Sequence, residues 1–76
     1  MKEILETIIL NLVDNKSEVE IKETENEKTI IYEVKVASED MGKIIGKQGK
    51  MANSIRNIMH AIGNRDKKRV SVEFIG

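Results

Sequence analysis

The spacing of apolar residues switches from a helical period to a strand period and back within 76 residues, so the chain must lay helices on a small sheet. Ile4, Leu5, Ile8, Ile9, Leu12 and Val13 fall on two adjacent i, i+4 rows, which predicts a helix over 2–14. From Val19 the pattern alternates, with Val19 and Ile21 set against Glu18, Glu20 and Lys22, as in a half-buried strand. Thr24 to Lys28 reads as a polar turn, and Ile30, Tyr32, Val34 and Val36 then alternate with Ile31, Glu33 and Lys35 to complete a hairpin. Ser38 is placed to cap a second helix running to about Ile45, with Glu39 and Asp40 in its first turn where the dipole favours negative charge. Gly46-Lys47-Gln48-Gly49 interrupts the helical pattern. Met51, Ile55, Ile58, Met59 and Ile62 resume it until Gly63 ends the run. Asn64 to Lys68 form a polar link, and Val70, Val72 and Phe74 give a closing strand. The order αββααβ, without repeats or an internal linker, predicts one α+β domain over residues 1–76, a three-stranded sheet with three helices packed on one face.

Composition narrows what such a fold does. A domain this small buries only about 60% of its unfolded surface, and with no cysteine and one histidine neither disulfides nor a cysteine- or histidine-built metal site can staple it. At 39% hydrophobic and 34% charged, the chain is too apolar for a disordered tail and too interrupted for a membrane span. Acidic residues inside the first apolar stretch argue against a secretory signal and for a cytoplasmic protein. No nucleophile–base pair is available, which argues against an enzyme, and no cofactor is implied. Charge is divided along the chain: residues 1–40 carry 11 acids against 5 lysines, and residues 41–76 carry 8 basic residues against 2 acids. Clustered Lys and Arg attract phosphate, although solvated surface charge explains the same count.

The informative stretch is Gly42-Lys43-Ile44-Ile45-Gly46-Lys47-Gln48-Gly49-Lys50. Two glycines three apart between helical patterns point to positive φ or to close backbone approach by a ligand. A helix opening near Lys50 turns unpaired N–H groups and the positive end of its dipole toward an anion, and phosphate is the natural guest. A tight corner that merely makes room for packing would use glycine too. A P-loop would need glycine at Lys47, a dinucleotide fingerprint needs glycines one residue apart, and the GxxxG spacing of Gly42 and Gly46 carries lysines unsuited to lipid.

Ile44-Ile45-Gly46-Lys47-Gln48-Gly49 resembles the signature of the KH domain, an apolar run followed by Ile-Gly-x-x-Gly between two helices. The order αββααβ looks like the type II KH arrangement over essentially the whole chain. With its small size and the stretch Asp40 to Lys50, the sequence resembles the small bacterial single-KH RNA-binding proteins of the KhpA type. The resemblance implies an RNA-binding protein that holds about four single-stranded nucleotides, acting as an RNA chaperone or post-transcriptional regulator linked to cell elongation and division. It implies self-association, or pairing with a larger KH-containing partner of the Jag/KhpB type.

Carried onto this chain, Gly46 and Gly49 let the backbone approach RNA. Lys47, Gln48 and Lys50 contact phosphate or sugar, Ile44 or Ile45 floors the base-binding groove, and Lys43 and Arg56 extend the positive rim. Ala52, where the family usually has a larger aliphatic residue, implies a shallower wall, and Gly49 is expected to be the least replaceable residue of the loop. Arg65, Lys67, Lys68 and Arg69 form a second basic cluster that reads equally well as solvated surface. Met51, Met59 and Tyr32 read as core, and His60 as a cation near a helix end. Self-association is expected on the Met51–Ile62 helix through Ile58 or Met59. A protein-interaction module, with the fold serving for dimerisation or as an adaptor, is the alternative function.

Overall fold

A computed structural model describes residues 1–75 and orders them as α1 (Lys2–Leu12), a 3-10 turn (Lys16–Glu18), β1 (Glu20–Glu25), β2 (Thr29–Lys35), α2 (Ser38–Ile45), a second 3-10 turn (Lys47–Gly49), α3 (Lys50–Arg65) and β3 (Arg69–Ile75). β2 is the central strand, antiparallel to β1 and parallel to β3. Its alternation sends Ile30, Tyr32 and Val34 into the core, where Val70 and Val72 stand beside them on β3. Leu5 and Ile9 of α1, Ile44 of α2, and Ile55 and Met59 of α3 close over that face. Each such side chain contributes about 1.5–3 kcal/mol by leaving water. This is the α+β order expected from the sequence. No helix among the described residues is long and apolar enough to cross a membrane.

Several boundaries move, each through a contact distant in sequence. α1 stops at Leu12 rather than residue 14, because Val13 turns extended (φ −97°, ψ 155°) and is itself buried. That turn delivers the Asp14 and Asn15 backbone N–H groups to the carboxylate of Asp40, at 3.2 and 2.9 Å, and the Asn15 side-chain amide donates to the same group at 3.1 Å. The hairpin loop is shorter than the Thr24–Lys28 turn expected. β1 runs on through Glu25, and the Asn26 side chain accepts from the Lys28 and Thr29 N–H groups at 3.0 and 2.8 Å, closing a compact Asx turn.

Ser38 does not cap α2: the cap position is Ala37, held in the core with Val36, and it offers no side-chain acceptor. Gly63 does not end α3. It lies buried inside the helix, where a Cβ would come within 2.4 Å of Val70 Cγ2, and its lack of a side chain lets α3 press against β3. The helix ends instead in a Schellman arrangement, with Lys67 N–H donating to Asn64 O at 3.1 Å and Lys68 N–H to Gly63 O at 2.9 Å. Met59 is core as expected, but Met51 is 36% exposed. Met51 stands in the first turn of α3, about 80° around the axis from Met59, and falls outside the buried row of Ala52, Ile55, Met59 and Gly63.

Asp40 is the one buried charged residue among those described. The backbone N–H of Asn15 holds its carboxyl below the ordinary 3.8, with further help from Asp14, the Asn15 side chain and Lys43. A depressed folded pKa means that the stability Asp40 adds is present above that ordinary value and is lost as the pH falls below it. Asp40→Ala should lower the melting temperature at neutral pH by roughly 5 °C or more, because two part-buried N–H groups lose their acceptor. Melting curves of wild type and Asp40→Asn should converge as the pH is taken from neutral down through 3.8 and below. A constant gap across that range would show that the carboxylate charge is not what ties α1 to α2.

Candidate nucleic-acid interface

α2 ends where Gly46 takes φ 75°, ψ 177°, a conformation confined to glycine, and its N–H closes the helix on Gly42 O at 2.9 Å. Gln48 (φ 56°, ψ 27°) and Gly49 (φ 75°, ψ 10°) are both left-handed, and α3 starts at Lys50. Three positive-φ residues in four reverse the chain within one turn and leave Lys47, Gln48 and Lys50 exposed at the apex. α3 opens with neither a side-chain cap nor an acidic residue in its first turn, so its first N–H groups and its dipole face the same apex. The two glycines thus serve the backbone reversal that the sequence suggested.

Their ranking is corrected. A Cβ at Gly46 would lie 2.6 Å from Met51 Cβ and 2.9 Å from Met51 N, whereas one at Gly49 meets nothing within 4 Å. Gly46 is therefore the less replaceable of the two for folding, and the open space at Gly49 is what an approaching phosphate could use.

The expected residues divide into three places. Ile45, Gly46, Lys47, Gln48, Gly49 and Lys50 are consecutive around the apex, with Ile45 half-buried and Ile44 wholly in the core, so only Ile45 can touch a ligand. Lys43 turns away: its ammonium pairs with Asp14 and lies 3.7 Å from Asp40, and the Asp14 contact raises its pKa. Arg56 stands about 9 Å along α3 from Lys50. Its Nε donates to Val72 O at 3.2 Å on the open edge of β3, and its guanidinium lies 5.2 Å from the centroid of the Phe74 ring. Ala52 is buried, so its methyl faces the interior. Lys47, Lys50 and Arg56 have no carboxylate partner among the described residues, which leaves their charge available. Sequence reasoning missed the left-handed Gln48, for which no residue-type signal exists, and the diversion of Lys43 to a residue 29 positions away.

A helix–GxxG–helix turn beside the open edge of a mixed three-stranded sheet, in the order αββααβ, defines a type II KH domain. The family model for the KhpA/KhpB KH domain matches residues 2–74, and the chain belongs to that family. It is 52% identical to the RNA-binding protein KhpA of Clostridium acetobutylicum, over 99% of this chain and 100% of that one. It is 51% identical to RNA-binding protein KhpA of Caldanaerobacter subterraneus over the same shares, and 44% identical to that of Aquifex aeolicus over 99% of this chain and 95% of that one. No solved structure gives a significant match.

Proposed function

We infer that this chain works as one KH module over residues 1–76, holding short single-stranded RNA against the Gly46–Gly49 turn as a binder rather than a catalyst. The observation that carries the reading is the apex itself: a backbone reversal with open space at Gly49, exposed Lys47, Gln48 and Lys50, and an uncapped helix start pointing the same way. Relatives about half identical that are named RNA-binding proteins support RNA as the ligand. Ile45 offers apolar floor to unstacked bases, and Arg56 extends the positive rim along α3. Lys43 belongs to the rim only where RNA draws it from Asp14. Backbone amide shifts on adding a tetranucleotide test this reading: they should concentrate on 45–50 and reach Arg56. Shifts confined to α1 or β1 would overturn it.

A second reading rests on Ile58, which is 45% exposed on α3, whereas its expected alternative Met59 is buried in the core. An exposed isoleucine on a helix suits self-association or pairing with a larger KH-containing protein of the Jag/KhpB type, and two joined clefts on one RNA gain avidity. The family resemblance alone supports the cellular part of the proposal, a cytoplasmic RNA chaperone or post-transcriptional regulator linked to cell elongation and division.

A further inference from the structure

Lys67 occupies the left-handed position that ends α3 (φ 57°), where helices ordinarily place glycine. A lysine there strains the backbone, and its side chain does not compensate with any ion pair among the described residues. It stands instead at the junction of two surface recesses, of about 580 and 470 Å³, that share Lys67 and Arg69. His60 and Asn64 of α3 and Ser71 of β3 line the larger one with polar groups, and Lys28 adds a cation to the smaller. Arg69 also lacks a carboxylate partner, whereas Lys68 is committed to Glu25 and to Asn26 O.

This basic corner is not isolated from the loop. Arg56, His60 and Asn64 follow one another at four-residue steps on the flank of α3 that faces the open edge of β3: Arg56 bonds Val72, and His60 and Asn64 line the recess with Ser71. That flank spans about 12 Å from Arg56 to Asn64, and Lys50 at the loop lies about 9 Å further along the helix axis. A KH cleft clamps about four nucleotides from its GxxG end. We propose that the Lys67–Arg69 corner is a second phosphate seat, which takes the backbone of a single RNA strand continuing beyond that clamp. The proposal rests on the RNA-binding reading above and adds a length requirement to it: strands longer than the clamp engage the positive regions at both ends of α3.

The test compares a tetranucleotide with an octanucleotide of single-stranded RNA on wild type, on Lys67→Gly, and on Lys67→Gly with Arg69→Gln. Glycine suits the left-handed turn, so Lys67→Gly should raise the melting temperature by about 3 °C while weakening octanucleotide binding. The double variant should bind the octanucleotide about tenfold more weakly than wild type and lower the slope of log affinity against log salt by about 1.4, which is 0.7 for each lost phosphate contact. Tetranucleotide affinity should stay within about twofold. Unchanged octanucleotide affinity and salt slope in the double variant would overturn the second seat and leave the loop reading intact. If wild type bound neither oligonucleotide, both readings would fall.

Discussion

Gly46→Ala is expected to lower the stability of the fold by about 3 kcal/mol, a large share of the roughly 4–11 kcal/mol typical of a 76-residue domain. Two effects add. The φ of 75° with ψ of 177° is a conformation that only glycine adopts without strain, and the new methyl would sit 2.6 Å from Met51 Cβ and 2.9 Å from Met51 N. Because part of that clash is with backbone, no rotamer change at Met51 relieves it, and the start of α3 must shift. Gly49→Ala, with open space around the new methyl, should cost only the left-handed strain of about 1 kcal/mol. Thermal melting of the pair reads the difference directly: a loss of about 15 °C for Gly46→Ala against about 5 °C for Gly49→Ala. Equal losses would mean that the Gly46–Met51 contact relaxes freely and that the turn is not the rigid seat described.

Replacing Lys47 and Gln48 together by aspartate is expected to weaken single-stranded RNA binding by about 100-fold or more while leaving the melting curve nearly unchanged. Both side chains are exposed, and aspartate is among the few residues that accept the left-handed backbone found at Gln48, so the fold has little reason to respond. The ligand responds strongly: one cation is removed and two anions are placed at the apex where α3 opens toward phosphate. RNA titration and melting on the same preparation separate the two quantities. Wild-type affinity in a folded double variant would remove the loop from the binding surface.

Periodicity was enough to place every helix and strand, because each of them except the largely exposed β1 buries one face and the apolar spacing records which. Where elements stop was less legible, since Val13 leaves the helix to serve an acceptor 26 positions from Asp14, and Gly63 is small for the sake of Val70 on the next strand. The turn was readable from two glycines at an interval that ordinary helices do not use. Which glycine the fold depends on was not, because that follows from where Met51 lies after the kink. Met51 and Met59, both on α3, differ in exposure because eight residues at about 3.6 per turn leave them about 80° apart around the helix. Lys43 looked identical in kind to Lys47 along the chain, and only the approach of Asp14 takes it off the surface that awaits a ligand.

The central claim is that phosphate groups of an unpaired strand bind this apex, and equilibrium binding of an eight-nucleotide RNA against a duplex of the same sequence, at several salt concentrations between about 50 and 200 mM, tests it most directly. The structure predicts preference for the single strand by about tenfold or more, because a floor as small as Ile45 is reached only by unstacked bases. Affinity should fall with salt at a slope of about −3.5 in log–log terms, about 0.7 for each phosphate neutralised by Lys47, Lys50 and the opening of α3 and by the second seat at Lys67 and Arg69. Equal binding of duplex and single strand, or an affinity indifferent to salt, would contradict the account.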